Sequence, residues 1–150
     1  MSLVFENVIQ IDAPQNIVWC VTVDIERWSQ WTPTVTSIQR LDEGPLACGS
    51  AALIQQPGLP EAKWVVTALI PDERFAWESR ILGMRMIATH ELSTRETGTK
   101  STLRVEMSGL VAHLLSPLIR FSACRSLERE NAGLKAKCES LAREPRGPIA

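Results

Sequence analysis

The sequence predicts an α+β fold: a curved antiparallel sheet of seven strands wrapped around one long C-terminal helix, with two short helices after the first strand. Three observations carry this. Across 117–143, Cys124, Leu127, Asn131, Leu134, Cys138 and Leu141 follow at steps of three and four, one helical face, opposite Arg125, Glu128, Arg129, Lys135, Lys137 and Glu139. Between Val35 and Gly109, five turn-rich stretches separate six runs of strand character. Residues 3–11 alternate, with Phe5, Ile9 and Ile11 on one face and Glu6 and Gln10 on the other, which adds a seventh strand.

In order along the chain, Asp12-Ala13-Pro14 ends the first strand and opens a helix whose Ile17, Val18 and Val21 face inward. Asn7 shares the inward face of that strand, a discord in an apolar row. Asp24 is placed to cap a second short helix carrying Ile25 and Trp28, which Trp31-Thr32-Pro33 closes. The turns that follow are Asp42-Glu43-Gly44-Pro45, Gln56-Pro57-Gly58-Leu59-Pro60, Pro71-Asp72-Glu73, Leu82-Gly83 and Thr97-Gly98. A two-residue turn at Asp72-Glu73 sets Ile70 opposite Phe75 and Ala68 opposite Trp77, with Val66, Ala68, Ile70, Phe75 and Trp77 inward. A two-residue turn at Thr97-Gly98 sets Leu92 opposite Leu103, His90 opposite Val105 and Ala88 opposite Met107. Arg85, Thr89, Glu91, Arg104 and Glu106 then point outward, so one face of the sheet is wet. Ser116 is expected as N-cap of the long helix and Pro117 as its first residue, and Glu144 before Pro145 ends it.

At 150 residues the chain has the length of one domain, expected over 1–144, with 145–150 as a flexible tail. Sixteen Lys and Arg stand against seventeen Asp and Glu, so no basic excess points to nucleic acid. Cys20, Cys48, Cys124 and Cys138 show no pairing pattern and read as small buried hydrophobes, which suits a reducing cytoplasm. No stretch approaches a membrane span. His90 and His113 are the two histidines, and no Cys or His pair stands at ligand spacing, so no metal site is assigned, and no phosphate-binding loop or other cofactor signature occurs.

The strings IDAPQNIVW, DIERWSQWTPTV, VTALIPDERFAWES, ATHEL and SLERENAGLKAKCE resemble the START-like, polyketide cyclase/dehydrase superfamily known as SRPBCC, over residues 3–141. Its relatives include the birch-pollen allergen and lipid-transfer domains. The resemblance implies a helix-grip fold enclosing a hydrophobic pocket, in a superfamily that spans carriers, receptors and cyclases. It carries over no shared catalytic motif.

His90 is the candidate with most chemistry, because its strand phase groups it with Met84, Met86, Ala88 and Leu92 facing inward. It could contact a ligand carbonyl, act as acid or base, or be a core histidine satisfied by a neighbour, and the sequence places no carboxylate beside it. Asn131 faces the same space as a neutral handle, or else bonds a sheet or loop carbonyl. Phe75, Trp77, Met86, Met107 and Leu127 supply an apolar wall, of a pocket or of plain core. Trp28 and Trp31 are expected to pack the second helix onto the sheet, and Gln56 to Pro60 to be a lid or a stiff connection. Glu130 reads as a solvated or salt-bridged rim residue rather than a general base.

Three functions follow. The first is binding or transport of a hydrophobic small molecule, aromatic, polyketide-like or lipidic. The second is a cyclase or dehydratase with His90 as acid or base, although the chain has no tyrosine to donate a phenolic proton. The third is an interaction module partnered through the terminal helix, with a homodimer left open.

Overall fold

The computed structural model of the protein describes residues 2–144. The flexible tail expected over 145–150 therefore lies outside the described residues. Strand β1 (Ser2–Ile11) leads into helix α1 (Gln15–Val23) and a 3₁₀ helix (Ile25–Gln30). Six strands follow: β2 (Ser37–Arg40), β3 (Ala51–Gln55), β4 (Ala62–Ile70), β5 (Arg74–Ile81), β6 (Met84–Arg95) and β7 (Gly98–Ser108). A one-turn helix α2 (Leu110–Leu114), which the sequence pattern did not announce, precedes the long helix α3 (Ser116–Arg143). All seven strands form one antiparallel sheet in the order β1-β7-β6-β5-β4-β3-β2. Helix α3 lies across β1 and β7 with α1 beside it. Its capping differs from expectation: Leu115 is the N-cap, Ser116 is already helical, and Asp24 makes no side-chain cap bond to the 3₁₀ helix.

Two registers depart from the expected ones. The β4–β5 connection is a three-residue loop, Pro71-Asp72-Glu73, in which Glu73 N–H donates to Ile70 O at 3.0 Å and Asp72 takes φ +64. Proline at the second position and a positive φ at the third are the marks of a type II turn. The longer loop pairs Ile70 with Arg74 and Leu69 with Phe75, so Ile70 turns outward and is 44 % exposed. A bulge between Val66 and Ala68 adds a second slip, after which Val66 faces Trp77. Ala68 is only half-buried; Trp64, Val66, Leu69, Phe75 and Trp77 form the inward row. In β6–β7 the turn residues are Glu96-Thr97, not Thr97-Gly98, and the pairs are Leu92 with Ser101, His90 with Leu103, and Ala88 with Val105. That slip is two residues, so every side chain keeps its face.

The helix stripe is corrected at one end. Ala123, Leu127, Asn131, Leu134 and Cys138 are buried, whereas Cys124 is exposed. Cys20 and Cys48 are exposed as well, so Cys138 alone of the four is a buried hydrophobe. The buried part of the stripe packs onto the sheet and α1. Among the described residues no helix is long and apolar enough to cross a membrane.

The core has two parts. The smaller unites Ile11, Ala13, Val18, Val21, Leu92, Leu134 and Cys138 where α1 meets the C-terminal half of α3. Glu139 ties that end down, accepting from Asp12 N–H at 2.8 Å and Lys135 Nζ at 2.5 Å. The larger part lies under the N-terminal half of α3 and is incompletely filled.

Candidate functional site

Between the N-terminal half of α3 and the sheet lies a cavity of about 200 Å³. The helix contributes Ile119, Ser122, Ala123, Ser126, Leu127 and Glu130, steps of three and one that follow a single face. Met84, Met86, Ala88 and His90 reach it from β6, at the period of two that puts alternate residues of a strand on one side. Val105 and Met107 enter from β7, Trp64 and Trp77 from β4 and β5, and Trp28 from the 3₁₀ helix. Leu59 and Gln56, in the loop expected as a lid or stiff connection, border the cavity too.

Five of the seven side chains expected at a binding site meet in this lining: His90, Trp77, Met86, Met107 and Leu127. Phe75 does not. Wholly buried, it stands behind the wall, its ring 4.9 Å from Trp77 and 5.4 Å from His90. Asn131 does not either. Its Nδ2 donates to Asn7 Oδ1 at 2.9 Å and to Asn7 O at 3.1 Å, and its Oδ1 accepts from Ser101 Oγ at 2.9 Å. The amide thus stitches α3 to β1 and β7, and the inward Asn7 that looked discordant is its partner. A buried amide must be satisfied, and this one is. Trp28 is more than a packing residue. Its Nε1 donates to Thr22 O at 3.0 Å, which fixes a ring lying edge-on to His90, Trp77 and Phe75 at 5.2, 5.3 and 6.4 Å between centroids.

The residue that sequence reasoning missed is Glu130. Its Oε1 lies 3.8 Å from His90 Nε2, and the two side chains are 15 % and 7 % exposed. Beside the imidazole it is largely shielded from solvent rather than solvated. Burial disfavours a charge on either group. Desolvation pulls the His90 pKa down to about 4 and pushes Glu130 up to about 7. Near neutral pH the imidazole is therefore uncharged, and the carboxyl beside it exchanges a proton with ease. They are the two titratable side chains in the described lining, and every other side chain there is apolar or neutral. Among the lining residues, Trp64 carries an Nε1 that is buried without a hydrogen-bond partner among the described residues. An orphaned donor of this kind costs about 1–3 kcal/mol until an acceptor reaches it. No cluster of three or more His, Cys, Asp or Glu suited to a metal occurs among the described residues.

Solved structures share this architecture at identities that speak to fold alone. A hypothetical protein, jhp0584, from Helicobacter pylori superposes with TM-score 0.78 at 13% identity, over 92% of this chain and 88% of its own. The di-domain ARO/CYC StfQ from the steffimycin biosynthetic pathway gives TM-score 0.78 at 12% identity, over 95% of this chain and 52% of its own. Ara h 8.0201 gives TM-score 0.74 at 12% identity, over 93% and 99%. Among curated proteins none matches in sequence. The family model described as polyketide cyclase / dehydrase and lipid transport matches residues 2–139, nearly the whole domain, and the chain belongs to that family.

Proposed function

We propose that the protein binds a hydrophobic small molecule in the cavity between α3 and the sheet, with the polar end of the ligand turned to His90 and Glu130. The observation that carries this is the cavity itself. A core of this size normally packs to the density of an organic crystal, with few voids larger than a water molecule. A space of about 200 Å³ walled by Met84, Met86, Met107, Trp77 and Leu127 is instead built for an apolar guest, and the methionines adapt to its shape. Family membership supports the reading, since the family takes in cyclases, dehydrases and lipid transport alike.

The test is a titration with 1-aminonaphthalene, followed through its own emission and through tryptophan quenching. Saturable binding is expected, and Ala123→Trp, which fills the cavity from the helix side, should abolish it. Binding undiminished in that variant would place the ligand elsewhere. A second reading, turnover of the ligand by cyclase or dehydratase chemistry, is favoured by one observation, the carboxyl of Glu130 beside His90.

A further inference from the structure

We propose that His90 and Glu130 are a proton-transfer pair that interconverts the keto and enol forms of a compact ketone of one or two rings. The proposal rests on the cavity being a binding site. It adds to that reading the substrate class and the role of each side chain.

Size comes first. An apolar cavity of roughly 150 Å³ holds benzene, and this one measures about 200 Å³. A substituted ring or a fused pair is the scale of guest that this volume matches. Apart from the pair, the lining is apolar or neutral, with Gln56, Ser122 and Ser126 its polar members, so the guest is uncharged.

Spacing comes second. A carbonyl oxygen and its α-carbon lie about 2.4 Å apart, from the C=O and C–C bond lengths. The α-hydrogen projects further from the oxygen, so the two sites where protons enter and leave an enolising ketone are close neighbours on one edge. His90 Nε2 and Glu130 Oε1, 3.8 Å apart, face that edge together. They come from different elements, β6 and α3, and border one cavity.

The step balances within the pair. The neutral imidazole takes the α-proton, and the C–H electron pair becomes the C=C bond. The carboxyl of Glu130 gives its proton to the carbonyl oxygen as the C=O π pair becomes the new O–H bond, and its own O–H pair stays behind on the carboxylate. Enol, imidazolium and carboxylate result. The imidazolium then returns its proton to the carboxylate as the two side chains close from 3.8 Å to hydrogen-bond distance, which restores both groups without any co-reactant. Trp28 packs edge-on against the imidazole, with 5.2 Å between ring centroids. The opposed shifts that burial imposes leave an unprotonated imidazole beside a carboxyl that takes up and releases its proton near neutrality.

The probe is 2-tetralone, a two-ring ketone with an acidic α-methylene. Deuterium uptake from D₂O at that carbon is followed by NMR, and binding is followed separately by tryptophan quenching. The wild-type protein should accelerate exchange about a hundredfold or more over buffer at the same pH, the usual reach of positioned acid–base catalysis. His90→Gln and Glu130→Gln should each lose most of that acceleration while quenching by tetralone persists, since both keep side-chain size and polarity. If tetralone binds and exchanges no faster than in buffer, or if both variants exchange like wild type, the proton-transfer assignment is overturned and the binding site stands. Should tetralone fail to bind where 1-aminonaphthalene does, the ketone class is overturned. Failure of both ligands overturns the binding reading and this one together.

Discussion

Because the two buried groups are shifted in opposite directions, their effects on stability hide each other, and a substitution at either should expose its partner. Glu130 goes from an ordinary 4.5 to about 7 on folding. Between those values the folded state holds a proton that the unfolded chain has released, so this group makes stability fall as pH rises, until the folded pKa is passed. His90 goes from 6.5 to about 4. Between pH 4 and 6.5 the unfolded chain holds the proton and the folded state does not, so stability rises with pH across that window. Each group changes stability by about 1.4 kcal/mol per pH unit where it acts alone, hence about 3 kcal/mol over its window. From pH 4.5 to 6.5 the slopes cancel, and the pair leaves the wild-type profile level. Glu130→Gln removes the falling contribution, so its stability relative to wild type should climb by about 3 kcal/mol from pH 4.5 to 7. His90→Gln should do the reverse, dropping by a similar amount from pH 4 to 6.5. Urea unfolding read by tryptophan emission at half-unit steps from pH 4 to 8 measures both difference curves. Surface carboxylates shared by all three proteins, such as Glu78 and Glu139, drop out of the differences. Two flat curves would refute the account, because they would mean that neither group changes protonation between folded and unfolded chains.

Three further outcomes are expected. Leu134→Asp sets a carboxylate into the smaller core, where Leu134 is 2 % exposed, and should cost about 3–5 kcal/mol in thermal or urea unfolding; an unchanged midpoint would remove that face from the interior. Asn131→Leu leaves Ser101 Oγ and Asn7 Oδ1 without their partner and should destabilise by about 1–3 kcal/mol, with ligand quenching unchanged; lost binding at intact stability would return Asn131 to the ligand. Trp64→Phe removes a buried donor that has no partner among the described residues, so it should leave the ligand-free protein within about 1 kcal/mol of wild type while weakening a carbonyl ligand more than naphthalene itself, measured by calorimetry.

Much of this was legible because period and parity are local. The alternation in β6 and β7 placed His90, Met86 and Met107 correctly even though the turn lay one residue earlier, since the pairing slipped by two and faces repeat every two residues. In β4 the same reasoning failed at Ala68 and Ile70, because a loop one residue longer and a bulge at Thr67 each reverse the parity, and neither has an unambiguous signature. The helix shows another limit. Glu130 and Asn131 stand three and four residues after Leu127, about 100° apart around the axis, and both spacings fit an inward face. Which one meets the cavity depends on how α3 is rotated over β1 and β7. The bond from Asn131 to Asn7, 124 positions away, reveals that rotation, and the discord at Asn7 was its trace in the sequence.

Gly133 gives the site a dependence on something that is missing. A Cβ there would lie 2.0 Å from the carbonyl oxygen of Trp31, nearer than any two such atoms can come, so backbone rests on backbone where the 3₁₀ helix ends. Trp31 packs on Trp28 at 5.6 Å, and Trp28 on His90 at 5.2 Å. A methyl group added at position 133 must lift the turn, and the disturbance would arrive at the imidazole as a tilt of the ring beside it. Gly133→Ala is thus a lesion of aim as much as of strength: a residue outside the cavity lining holds its share of the site by the room it leaves empty.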